Sequence, residues 1–178
     1  MSTTAAQDSG TTPTASLLFS AEDATNFSLD EATIKDWSQA EAVIRSAPKG
    51  WLSTGRKDGR PHTQPVMLAW ADGTPVFASR PGSLKSRNLA RDPHSTITVS
   101  DPELDLVLEG RAERADNPAD FETVAAALRD KFGWEFTHRD GRAFQPGPGE
   151  PEYVFYRLHL DRAYGYGSDG QTATRWVF

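Results

Sequence analysis

Apolar and polar residues alternate with two different periods along this chain, and the changes of period mark its elements. Ile34, Trp37, Ile44 and Ala47 recur at helical spacing. Ser28-Leu-Asp-Glu31 and Ser38-Gln-Ala-Glu41 have capping-box form, so the pattern predicts a helix before Pro48 and Gly50. Beyond it the period falls to two. Trp51–Arg56 reads as a strand, Lys57-Asp58-Gly59-Arg60 as a hairpin turn, and 61–70 as the returning strand. That strand alternates His62, Gln64, Val66, Leu68 and Trp70 on one face with Thr63, Pro65, Met67 and Ala69 on the other. Pro61 and Pro65 cannot donate to a ladder, which marks an edge or a bulge. Ala71-Asp72-Gly73 turns the chain into a strand over 74–79.

The helical period returns over 84–91, with Ser83 as N-cap and Asp92-Pro93 as the stop. Strands follow over 94–100 and 104–115. Asn117 with Pro118 opens another helix, whose apolar stripe is Phe121, Val124, Ala125 and Leu128. The Gly- and Pro-rich stretch 133–150 reads as a long loop, and the last strands are predicted at 152–160 and 172–178. Six or seven strands at hairpin spacing with about three helices argue for a mainly β fold, an antiparallel barrel with flanking helices.

Composition sharpens this picture. The chain has 178 residues, enough for one domain. Residues 1–27 are rich in Ser and Thr with little periodic apolar content, and read as a disordered tail before a single domain over 28–178. There is no cysteine, which excludes disulfides, thiolate catalysis and Cys-ligated metal centres. The four histidines show no close metal-ligand spacing, so no metal site is expected. The net charge of −6 argues against nucleic acid as a partner. The longest apolar run, 66–71, is far short of a membrane span, and the N-terminus lacks a secretory pattern; a cytoplasmic protein is expected. Gly165-Tyr-Gly167-Ser-Asp-Gly170 has dinucleotide-fingerprint form, but no helix follows it, and it reads as a flexible turn.

One stretch concentrates chemistry. Arg80, Lys85, Arg87 and Arg91 crowd an otherwise acidic chain where a strand passes into a short helix. Helix N-termini favour anions, Ser79 and Ser83 add hydroxyls, and Lys85 and Asn88 share a helix face. This set matches a monoester phosphate. The plain alternative is a solvated basic helix face.

Asp58-Gly-Arg-Pro-His-Thr-Gln-Pro-Val66, Phe77-Ala-Ser79, Gly82-Ser-Leu-Lys-Ser-Arg-Asn-Leu89, Arg91-Asp-Pro93 and Glu109-Gly-Arg-Ala112, in this order, resemble the pyridoxamine 5′-phosphate oxidase-like family of flavin-binding split barrels. The resemblance spans about residues 30–178. It implies a six-stranded antiparallel split β-barrel, a homodimer, and FMN or the deazaflavin coenzyme F420 at the dimer interface. Ser79, Arg80, Ser83, Lys85 and Asn88 would hold the cofactor phosphate, and His62, Thr63, Gln64 and Pro65 would run beside the ring. Arg175 and Trp176 would close the pocket. No separate catalytic acid or base is implied; His62 is the one side chain there that could move a proton, against the alternative of an ordinary strand residue. The C-terminal Thr174-Arg-Trp-Val-Phe178 departs from the true pyridoxamine phosphate oxidases. The Lys-x-x-Asn-Leu loop with its following Asp-Pro is closer to the actinobacterial-type flavin and deazaflavin reductases. The expected activity is hydride transfer to or from a small conjugated substrate. The alternatives are a non-catalytic flavin- or haem-binding split barrel and an interaction module with a vestigial groove.

Overall fold

The computed structural model describes residues 12–23, 30–139 and 142–178. Its strands are β1 (Thr14–Leu17), β2 (Lys49–Gly55), β3 (Pro61–Met67), β4 (Ala69–Ala71), β5 (Thr74–Ser79), β6 (His94–Val99), β7 (Leu104–Arg114), β8 (Thr137–Arg139), β9 (Arg142–Phe144), β10 (Glu152–Gly167) and β11 (Ala173–Val177). The helices are α1 (Trp37–Ser46), α2 (Leu84–Arg91) and α3 (Pro118–Phe132).

Antiparallel ladders run in the order β3-β2-β6-β7-β10-β11-β1. The fold turns on β10, which is long enough to serve two neighbours on one edge. Its first half pairs with β5 (Val154↔Ser79 to Arg157↔Val76) and its second half with β11 (Arg162↔Val177 to Tyr166↔Ala173). Its other edge pairs with β7 almost throughout. The sheet therefore forks. The branch through β5 comes round against β3 and closes six strands, β3-β2-β6-β7-β10-β5, into the split barrel. Leu52, Leu68, Phe77, Ile97, Leu108 and Leu158 fill its interior, and α1 adds Ala40 and Ile44 to the same core. A second core lies under α3, where Phe121, Val124 and Leu128 cover Ala69, Val76 and Phe155.

The register shifts between Leu160 and Arg162, opposite Gly110 and Glu109. A Cβ on Gly110 would stand 2.0 Å from the His159 carbonyl oxygen. Glycine is what lets β7 pass β10 at this bulge.

Several expectations are met residue for residue. Helix α2 has the expected bounds, with Ser83 accepting from the Ser86 N–H. Asn117 caps α3, Pro118 stands in its first turn, and the expected stripe is its buried face. Others need correction. Ser38 lies inside α1; the N-cap is Asp36, whose N–H donates to the Gln39 side chain at 3.1 Å. Ser28 lies outside the described residues. The single strand expected over 61–70 is broken at Leu68, because β3 pairs with β2 while β4 pairs with β5. The expected 133–150 loop contains the β8–β9 hairpin. The glycine-rich run is no flexible turn until Ser168: Gly165 and Gly167 belong to β10, and a Cβ on Gly165 would press into the Trp176 ring at 2.6 Å. Thr14–Leu17, assigned to the tail, pair with β11 as its outer edge; residues 1–11 and 24–27 of that tail are outside the described set. No helix among the described residues is long and apolar enough to cross a membrane.

Candidate functional site

The strand-to-helix junction after β5 builds a nest of hydroxyls. Phe77 is drawn into the barrel and stacks on Tyr156 at 5.1 Å, which places Ser79 just behind the loop. Ser79 Oγ lies 2.9 Å from Ser83 Oγ and 2.8 Å from Ser86 Oγ. Ser86 Oγ donates to the Arg80 carbonyl at 2.9 Å. Burial raises the Tyr156 phenol above its ordinary pKa, and a side-chain hydrogen bond with Ser86 opposes that shift. Ser79 is only 2% exposed and Ser86 is buried, so both shape the loop, while Ser83 is half-buried at the helix start with its hydroxyl in the same network. Sequence reasoning names Ser83 from its capping position and misses the supporting roles of Ser86 and Tyr156.

The body of α2 is fixed against the barrel by Asn88. Its amide is buried, at 2% exposure, and donates to Thr54 Oγ1 on β2 at 3.0 Å. Thr54 Oγ1 in turn donates to the His62 carbonyl at 3.4 Å. Asn88 is thus a tie between α2 and the β2–β3 hairpin, and its side chain faces the barrel. The tie holds α2, which carries Lys85, against the hairpin that carries His62. Desolvation, then the cations of Arg56 and Lys85, hold the His62 pKa below the ordinary histidine value. Desolvation alone lowers Lys85. His62 Nδ1 is buried with no hydrogen-bond partner. A neutral imidazole with a free nitrogen on the hairpin and a half-buried cation on the helix tied to it favour a bound anion next to a polar planar group.

The other sequence-predicted residues divide. Gln64 shares the inward face of β3 with His62. Thr63 is exposed on the outer face, its hydroxyl 2.7 Å from Ser53 Oγ. Pro65 is exposed opposite Trp51, on the strand that ends the ladder, where a missing N–H costs nothing. Arg80 turns toward the start of β10, its guanidinium 5.6 Å from the Tyr153 ring centroid. Trp176 does not close a pocket. It is fully buried, donates to the Lys35 carbonyl at 3.0 Å and packs edge-on against Trp37. Arg175 reaches Ser16 on β1.

Two recesses flank the β2–β3 hairpin. One, of about 450 Å³, lies against Ser53, Thr96, Glu109 and Arg162. The other, of about 670 Å³, lies between the hairpin turn and α2. Among the described residues no cluster of His, Asp or Glu could hold a metal ion.

A family model described as pyridoxamine 5′-phosphate oxidase matches residues 37–167. No curated protein matches the chain. Among solved structures, a conserved hypothetical protein from Mycobacterium tuberculosis is similar at 20% identity and a TM-score of 0.61, over 75% of this chain and 85% of that one. A heme binding protein from Mycobacterium smegmatis has the same identity and TM-score over 78% of this chain, which spans 56% of that protein. An F420 reductase is 22% identical, with a TM-score of 0.52, over 69% of this chain and 94% of that one. At these identities the three structures show a shared fold.

Proposed function

The chain belongs to the pyridoxamine 5′-phosphate oxidase-like family of split barrels, and from that premise we propose that it is an oxidoreductase using FMN or coenzyme F420 on a small conjugated substrate. The observation that carries this reading is the orphaned, buried His62 Nδ1 on β3 together with the half-buried Lys85 on α2, the helix that the Asn88–Thr54 bond ties to the β2–β3 hairpin.

The residues present fit a ribityl phosphate and a polar ring. Lys85 is half-buried with no carboxylate partner among the described residues, and desolvation lowers its pKa. Ser83 and the unpaired N–H groups of the first turn of α2 supply neutral donors beside it. Ser79, Ser86 and Tyr156 hold that turn in place from behind. His62 Nδ1 is an orphaned buried polar atom on the strand assigned to the ring. A polar ring edge satisfies it without requiring a charge, since the lowered pKa keeps the imidazole neutral. When bound, the cofactor supplies the hydride chemistry; the chain supplies position, hydrogen bonds and exclusion of water. Arg80, turned to Tyr153, borders the nest from the β10 side.

A homodimer belongs to the same reading. Register places Pro65, Trp51, Thr98, Val107 and Tyr164 in one row across the outer face of the sheet. Trp51 is 46% exposed there, an apolar surface that a second copy would cover beside β3.

The test is to titrate the purified protein with FMN and with F420 while following absorbance and fluorescence, then to assay reduction of quinone and other conjugated acceptors. Saturable binding of one cofactor with turnover supports the proposal. Tight binding of flavin or haem without turnover replaces it with the non-catalytic reading. No affinity for any of them leaves the interaction module.

A further inference from the structure

The 670 Å³ cleft lies on the hairpin side of α2, where it shares Leu84 and Asn88 of that helix with the surroundings of the hydroxyl nest, and it has its own charge chemistry. The hairpin turn supplies Arg56, Lys57 and Arg60 to one wall; α2 supplies Arg87 and Arg91 to the other. The single carboxylate in this lining is Asp58, and it is committed to Arg60 through bonds of 2.9 and 2.7 Å. Arg87 donates to the Gly82 carbonyl and Arg91 to the Gly55 carbonyl, so the second of these bonds ties the end of α2 to the hairpin and fixes the width of the cleft. Arg56 and Lys57 have no carboxylate partner among the described residues. This concentration of like charge sits on a chain whose net charge is −6. Like charges held together repel unless an anion joins them.

We infer that this cleft binds a small molecule carrying at least two anionic groups, independently of what the ring site holds. The volume suits a small ligand. An extended nucleic acid would be repelled by a chain of net charge −6. Four of the five cations are arginines, whose planar forks match the paired oxygens of phosphate or carboxylate. Phosphate and carboxylate share that geometry, so the two sources are separated by experiment.

Calorimetric titration at low ionic strength with inorganic pyrophosphate and with citrate tests this on the full chain. At least one anion should bind one-to-one, and added salt should weaken it. Arg56→Gln/Lys57→Gln should weaken that binding tenfold or more. Asp58→Asn keeps the oxygen that accepts the Arg60 N–H and removes the opposing charge, so it should tighten binding several-fold. Asp58→Asn should bind FMN within threefold of the wild type. Failure of both anions to bind, or equal affinity in the wild type and the double variant, overturns the inference. So does a parallel loss of FMN, which would make the cleft an outlying part of the phosphate nest. Anion binding that responds to these variants in a protein with no affinity for FMN or F420 would refute the ring reading and leave the cleft standing.

Discussion

Lys85 stands half-buried with no carboxylate partner among the described residues, which is why a single substitution there is informative. Lys85→Ala should weaken cofactor binding by about 1.5–3 kcal/mol, the scale of a charge-assisted hydrogen bond, while leaving the fold intact. A fluorescence titration of FMN or F420 reads this directly. His62 makes a separate prediction through pH. Its folded pKa is depressed, chiefly by desolvation, so the unfolded chain binds the proton more readily. The contribution of His62 to stability is fully present above the ordinary histidine value of 6.5, and falls away as pH drops below it toward the depressed folded value. Denaturant melts between pH 5 and 7 should show this slope, and His62→Gln should flatten it. At this scale the sequence was informative where chemistry is local. Ser83 announces itself because a cap and its N–H partner are three residues apart. The Thr54–Asn88 bond joins residues 34 apart, and Tyr156 reaches Ser86 from another strand. No spacing rule connects such pairs.

Among the elements, the β7–β10 crossing is the most constrained. Gly110→Ala would drive a methyl into backbone at 2.0 Å, where no side chain can yield. It should destabilise the fold by about 1–3 kcal/mol, seen as a lower denaturant midpoint with unchanged slope. Helices α2 and α3 could be drawn from sequence because Ser83 and Asn117-Pro118 are strong local stops. The start of α1 could not, because two Ser-x-x-Glu runs compete with Asp36 and only packing of Trp37 against Trp70 and Trp176 decides. The 61–70 run alternates without interruption, yet it changes partner at Leu68. Periodicity reports which face is buried and is silent on which strand lies alongside. Gly165 reads as a turn residue in sequence; in space it clears room for the Trp176 ring.

For the whole molecule, the split-barrel architecture followed from strand spacing and from the resemblance. The fork in β10 did not, since it needs one strand to serve β5 and β11 in turn. The outer face of the barrel carries the prediction that belongs to this scale. Trp51→Glu places a charge on the exposed part of that outer row. If the proposed homodimer forms through this face, the substitution should shift it to monomer in sedimentation, and cofactor binding should fall with it, because β3 carries both His62 and the edge of that face. A dimer that survives the substitution would place the interface elsewhere. The central claim is that the nest around Ser83 and Lys85, with His62 beside it, grips the phosphate end of a redox ring. Titration of wild-type and Lys85→Ala protein with FMN and with F420, followed by absorbance and fluorescence, tests it most directly. The account predicts saturable binding of one of the two to the wild type, weakened roughly tenfold or more by the substitution. Binding that is absent, or equal in the two proteins, would contradict it.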